Sequence, residues 1–178
     1  MLESIPEPKW KVKNARNEYI VQCRGKRIII KNDRHYTKKH MWAKKTFDWN
    51  FKVGITDYAQ KSLREKASLV EVSKNINVGN RVEADEIFGT VYGGLYANLD
   101  LMRCECVAFD LTAPISGRIV EVNREVMDNP PLINSSPYEK GWIVIITPNP
   151  ESESDNLITP LKYKKMLERK EESPFRVL

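Results

Sequence analysis

Ala113-Pro114-Ile115-Ser116-Gly117-Arg118-Ile119-Val120-Glu121-Val122-Asn123 reads as a proline-set approach, a bend and then a strand. Pro114 restricts the backbone on the way in, and Gly117 permits either a positive φ or a close-packed bend at the first strand residue. These residues specify shape rather than chemistry. Further strand-like stretches lie on both sides, at residues 86–92, 101–109 and 142–147, the last preceded by a turn over residues 137–141. Farther upstream, Phe51, Val53 and Ile55 alternate with Lys52 and Gly54, the period-two pattern of a strand with one buried face.

The rest of the chain fits around that series. Tyr19-Ile20-Val21-Gln22-Cys23 and Arg27-Ile28-Ile29-Ile30-Lys31 are β-branched runs joined by Arg24-Gly25-Lys26, which predicts a hairpin added before the main domain. After Ile55 a short helix is expected, with Asp57 as N-cap, Gln60 reaching back as in a capping box, and Ala59 and Leu63 on its inner face. A strand at residues 69–72 and a turn at Val78-Gly79-Asn80 follow. Many short strands separated by turn residues argue for an antiparallel sandwich or small barrel rather than a parallel sheet. Past residue 147, Pro148-Asn149-Pro150-Glu151-Ser152-Glu153-Ser154-Asp155 is expected to be a mobile linker. Thr159 and Pro160 then mark a helix start, and Tyr163 and Leu167, four apart, give that helix one apolar stripe for docking on the body.

Bulk properties bound the function. A length of 178 residues with 41% hydrophobic composition suits one domain with extensions. Such a chain buries roughly 70% of its unfolded surface without metal or disulfide staples. Cys23, Cys104 and Cys106 are too few and too unevenly placed for a secreted disulfide framework, and no apolar run approaches the ~20 residues of a membrane span. The opening residues carry no signal-peptide or transit-peptide pattern, so a reducing cytoplasm is expected. Charge is uneven: up to Lys45 there are 13 Lys and Arg against Glu3, Glu7, Glu18 and Asp33, or +9, which leaves 5 − 9 = −4 for the remainder. Trp10, Tyr19, Tyr36 and Trp42 interleave with that basic segment. The mixture suits a nucleic-acid contact surface and equally a solvated arm, and without a nucleic-acid motif the solvated arm is the expected reading.

The order of specific residues goes further than periodicity. Tyr36-Thr37-Lys38-Lys39-His40-Met41-Trp42 and Val53-Gly54-Ile55-Thr56-Asp57-Tyr58-Ala59-Gln60 resemble the opening of the glycine cleavage system H protein family. The resemblance resumes at residues 113–123 and continues through Asn129-Pro130-Pro131-Leu132-Ile133-Asn134 and Ser136-Pro137-Tyr138-Glu139-Lys140-Gly141-Trp142. It implies a mainly β, lipoyl/biotinyl-type β-sandwich (a barrel-sandwich hybrid) with a short internal helix, an N-terminal β extension and a C-terminal helix. The corresponding organisation is residues 1–35 as a basic extension with a hairpin, 36–148 as the H-protein-like domain, and 149–178 as acidic linker and helix. The resemblance also implies a carrier rather than an enzyme, with protein partners among the glycine cleavage components or other lipoate-dependent enzymes. With no apolar run long enough to span one, no membrane is expected.

In the family, a lysine between a Phe-Gly pair and an Asp-Leu pair receives lipoate. Here Phe88-Gly89 and Asp110-Leu111 frame a longer segment, in which Glu105-Cys106-Val107 is nearest to the attachment motif and is followed by Ala108. There is no lysine anywhere in residues 82–139. Arg103 does not replace it, because a guanidinium stays protonated and is not an amine nucleophile. No lipoyl cofactor is therefore expected, and the chain reads as a non-lipoylated binding or regulatory scaffold. The alternative is a genuine H protein carrying the methylamine group of glycine from the decarboxylase to the aminomethyltransferase, and a third is nucleic-acid binding by the basic arm. Gly93, Gly94 and Asn98 predict an extended loop at the hairpin tip.

Cys104 and Cys106 point to one face of a strand, so a thiol redox site or a soft-metal pair is conceivable there. Two thiolates are not a metal site, an i, i+2 disulfide is near the limit of Cα separation, and small buried hydrophobes are the expected role. His35 and His40 have no neighbouring serine or carboxylate that suggests a catalytic set, and Asp85-Glu86 reads as solvated surface. No catalytic residue and no metal is expected.

Overall fold

The N-terminal strands β1 (Glu18–Cys23) and β2 (Lys26–Lys31) pair antiparallel through a two-residue turn in which Arg24 and Gly25 have φ of 52° and 71°. Two positive φ values in succession twist the turn with the strands, which is why glycine sits there. The structure is a computed structural model that describes residues 17–63, 66–73, 77–98, 103–151 and 156–172, and within them the side chains of residues 95–98, 103–106 and 170–172 are outside the description.

Then follow β3 (His35–Tyr36), β4 (Met41–Lys45), β5 (Phe51–Ile55), α1 (Asp57–Ser62), β6 (Ala67–Val72) and β7 (Arg81–Val82). The chain continues through β8 (Ile87–Asn98), β9 (Arg103–Thr112), β10 (Gly117–Val122), α2 (Arg124–Asp128), α3 (Leu132–Ser135), β11 (Trp142–Pro148) and α4 (Pro160–Glu172). Among the described residues, one sheet has the order β3-β4-β5-β11-β10-β7 and a second the order β6-β8-β9, all neighbours antiparallel. Met41, Val53, Ile119, Val144 and Ile146 from the first sheet meet Val70, Phe88, Val91 and Leu111 from the second in one buried cluster. The mainly β sandwich expected from the sequence is what forms.

A second apolar cluster lies between the β1–β2 hairpin and α4. Val21, Cys23, Ile28 and Ile30 pack there with Tyr36, Trp42, Tyr58, Tyr138, Tyr163 and Leu167. Helix α4 starts where the hydroxyl of Thr159 accepts from Lys162 N, and its Tyr163 and Leu167 stripe is fully buried in the molecule itself. The expected docking in cis is thus observed.

Several local expectations are corrected. The cap of α1 is Thr56, whose hydroxyl accepts from Ala59 N at 3.2 Å, and not Asp57. Asp57 is the first helical residue, and its carboxylate accepts instead from Ile29 N at 2.8 Å, Gln60 Nε2 at 2.6 Å and Lys61 Nζ at 2.8 Å. A carboxylate that ties the edge of β2 to the helix is not available to cap. Gly54 is buried rather than on an open face, because Trp42 lies over it: a Cβ there would stand 2.7 Å from the indole. At Gly117 the bend is the close-packed kind, since a Cβ would meet Thr147 O at 2.2 Å. The expected tip loop does not begin at Gly93. The β8–β9 ladder shifts register between Gly93 and Tyr96, with Gly94 at φ 36°, and resumes to Asn98 and Arg103, so a bulge absorbs the extra residue. Residues 99–102 lie outside the described residues, as do residues 152–155 of the expected linker. The start of that linker is strand: β11 runs through Pro148, and Asn149 N donates to Ser116 O at 3.1 Å.

Candidate functional site

The β8–β9 hairpin is the element that the framing pairs Phe88-Gly89 and Asp110-Leu111 single out, and its base is anchored deeply. Phe88, Val91 and Leu111 are fully buried. Gly89 is required where it stands, since a Cβ would come within 2.3 Å of Glu71 O and 3.2 Å of the Leu111 side chain. Above the base the register is Thr90 opposite Asp110, Val91 opposite Phe109, Tyr92 opposite Ala108 and Gly93 opposite Val107. Strand alternation therefore turns Thr90, Tyr92, Ala108 and Asp110 outward, next to Leu69 and Glu71 of β6. The outward face carries two carboxylates, a hydroxyl and a phenol.

An amide-linked lipoyl arm needs a primary amine at this hairpin. The described outward face has none, and residues 82–139 contain no lysine, so the donor set does not fit that group. Lys66 is the lysine whose backbone is tied to the hairpin: its carbonyl accepts from Gly94 N at 3.2 Å, at the start of β6 and outside the framing pairs. Cys104 and Cys106 fall on the β9 backbone opposite Ala97 and next to Glu105, and their side chains lie outside the described residues. Cys23 is buried, its thiol directed at Leu167 O at 3.6 Å. Among the described residues, no three His, Cys, Asp or Glu gather as a metal site would require.

The motifs at residues 36–42 and 53–60 converge elsewhere, on a buried polar belt beneath the β1–β2 hairpin and α4. Tyr163 Oη lies 2.8 Å from His40 Nδ1 and 3.0 Å from Thr56 Oγ1, with its ring stacked on Tyr36 at 4.6 Å. Tyr138 Oη donates to Ile29 O at 2.6 Å and accepts from Asp57 N at 3.2 Å. Burial pushes the phenols of Tyr36, Tyr138 and Tyr163 well above their ordinary range, so they act as neutral hydrogen-bonding groups. No nucleophile–base pair is assembled by these contacts. They fasten the hairpin and α4 to the large sheet.

Arg34 is the residue that sequence reasoning misplaced. Counted with the basic segment, it is instead buried, its guanidinium 4.7 Å from the Trp42 ring and 4.9 Å from that of Tyr138, donating to Tyr138 O at 2.7 Å and to Asp33. Burial alone would raise the Asp33 carboxyl, but hydrogen bonds from Arg34 and Lys44 outweigh it and hold the pKa down at about 2. Lys31 pairs with Glu18 and Lys44 with Asp33, both at 2.6 Å. Part of the basic segment is therefore neutralised internally. A signal was present in the Asp33-Arg34 sequence pair, but not the aromatic walls, which come from positions 42 and 138. His35 is exposed and takes no part.

No helix among the described residues is long and apolar enough to cross a membrane. Compared with known proteins, residues 34–170 match the family described as glycine cleavage H-protein. The chain is 37% identical over 138 residues to a glycine cleavage system H protein of Halalkalibacterium halodurans, covering 78% of this chain and 95% of that one. It is 39% identical over 132 residues to that of Geobacillus kaustophilus, covering 74% and 91%. The crystal structure of a glycine cleavage system H protein from Mycobacterium marinum superposes with a TM-score of 0.61 at 32% identity, covering 77% of this chain and 98% of that one. On this family match and these relatives, the chain belongs to the glycine cleavage H-protein family, whose members are carriers and not enzymes.

Proposed function

We propose that this chain is an H-protein module that works without a lipoyl arm, as a binding or regulatory scaffold for proteins that recognise lipoyl carriers. One observation carries the reading: the hairpin that should present an amine has Ala108 after Glu105-Cys106-Val107, and residues 82–139 hold no lysine. The outward surface of the β6-β8-β9 sheet, with the anchored base beneath it, offers such a partner a docking face. Partners are glycine cleavage components or other lipoate-dependent enzymes.

The test is co-expression with a lipoate ligase followed by intact-mass measurement. The expected mass is that of the unmodified chain. A single lipoyl increment on a lysine essential for glycine cleavage would overturn the proposal in favour of a genuine methylamine carrier. Identity of 37% over 95% of a named H protein favours that second reading. Lys66 is then the first position to examine, and Lys66→Arg should abolish the increment if the arm is attached there.

A further inference from the structure

Two surfaces remain unused by this reading, and each exposes apolar side chains. The first is the tip of the β4–β5 hairpin. Thr46 N donates to Asn50 O at 2.8 Å and leaves Phe47-Asp48-Trp49 as a three-residue loop. Such a loop ends with a residue in the left-handed region, where glycine or asparagine sits at least cost. Here that residue is Trp49, at φ 65°. A bulky aromatic in this conformation is an outlier that carries strain, and the folded chain offers little burial in return. Trp49 is 71% exposed and Phe47 99% exposed. Lys45 Nζ stands 3.8 Å over the Trp49 ring, so the tip is an aromatic prong with a cation beside it and Asp48 at its apex.

The second surface is a cleft of about 790 Å³ between the end of β6, the outer face of β10 and α2. Val78, Val120 and Met127 line it, the valines 62% and 37% exposed, and Glu121, Asp128 and Arg124 stand among them. Prong and cleft each set apolar side chains beside charges of both signs. The aromatic pair can meet Val78, Val120 and Met127 in a cleft otherwise lined by polar groups, Lys45 can pair with Glu121 or Asp128, and Asp48 with Arg124. Phenylalanine and tryptophan are also the residue types that anchor interfaces.

We propose that the chain associates with a second copy of itself by seating the Phe47–Trp49 prong of one molecule in the β10–α2 cleft of another. The contact joins two different patches, so it is heterologous, and it is independent of whether the hairpin carries lipoate. A contact of a few residues per side is weak, with association expected between about 10 µM and 1 mM.

Sedimentation velocity and light scattering on the full chain test this over that range. Association should grow with concentration and weaken at least about thirtyfold in Trp49→Gly, the loss expected for a truncated aromatic anchor. The same variant should melt no lower than the parent, because glycine is at ease at φ 65°. Val78→Asp, at an exposed loop position, should abolish association from the cleft side. Mixing the two variants, each associating far less than the parent alone, should restore a 1:1 dimer, since one supplies an intact cleft and the other an intact prong. A parent chain that stays monomeric throughout, an association indifferent to Trp49→Gly, or a mixture that fails to pair would each overturn the proposal. So would a monomer whose tryptophan emission shifts to the blue only with phosphatidylglycerol vesicles, and loses the shift in Trp49→Gly, since the prong would then face lipid.

Discussion

Two antiparallel hairpins of this chain are built alike and used differently. The β1–β2 hairpin turns Val21, Cys23, Ile28 and Ile30 onto α4 and its aromatic neighbours, leaves Ile20, Gln22 and Arg27 outward, and has backbone groups of β2 answered by Asp57, Tyr138 and Lys61. The β8–β9 hairpin is buried only on the face that carries Val91, while Thr90, Tyr92, Ala108 and Asp110 look outward with no element over them among the described residues. A hairpin tied down along its inner face and its backbone edge contributes stability. One covered on a single face, beyond a base that is firmly anchored, presents a surface to a partner.

The sharpest way to break the contrast is Trp42→Ala. It empties a fully buried site, uncovers Gly54 and strips one aromatic wall from the Arg34 guanidinium, so a loss of about 3–5 kcal/mol is expected in urea unfolding. Hydrogen exchange in that variant should rise first in β1, β2 and α4, while β8 and β9 stay protected. Gly89→Ala attacks the other hairpin. Its Cβ collides with Glu71 O, and a loss of roughly 1–3 kcal/mol with faster exchange confined to β6, β8 and β9 is the expected outcome. If both variants loosened both hairpins equally, the two regions would be one cooperative unit.

A finer probe is Tyr163→Phe, which keeps the stacked ring but leaves His40 Nδ1 and Thr56 Oγ1 without their shared partner. The cost should be about 1–2 kcal/mol by chemical denaturation. Smallest is the effect of Asp33. Its folded pKa of about 2 lies below the ordinary 3.8 of an aspartate side chain, so its contribution is present above pH 4 and is lost as pH falls through about 2. Because the side chain is 36% exposed, solvent screening keeps that contribution below about 1 kcal/mol. The stability gap between parent and Asp33→Asn should therefore close between pH 4 and pH 2. A gap that widened on acidification would reverse the assigned sign.

Much of the fold was legible before any coordinates. β-Branched runs marked β1, β2 and β11, period-two alternation marked β5, and Thr159-Pro160 with Tyr163 and Leu167 marked α4 and its docked stripe. Less legible were the short strands β3, β4 and β7 and the helices α2 and α3, which are too brief for a period to register against local noise. The cap of α1 was read one residue late, because Asp57 is a better local capping residue than its actual use reveals. Of the candidate site, the framing pairs and the absence of lysine from residues 82–139 were plain in the sequence, while the bulge at Gly94 was not, since a bulge depends on what the partner strand offers.

Composition and local order by themselves determined that residues 82–139 contain no lysine, that strands alternate in and out, and that a terminal helix has one apolar stripe, because these are properties of neighbouring residues along the chain. Only the tertiary structure decided that Arg34 is a buried cation between Trp42 and Tyr138, that Asp57 serves a distant hairpin rather than its own helix, and that Phe47 and Trp49 are left bare. Those outcomes depend on groups from eight to more than a hundred positions apart, and no local pattern encodes which of them will meet once water is excluded.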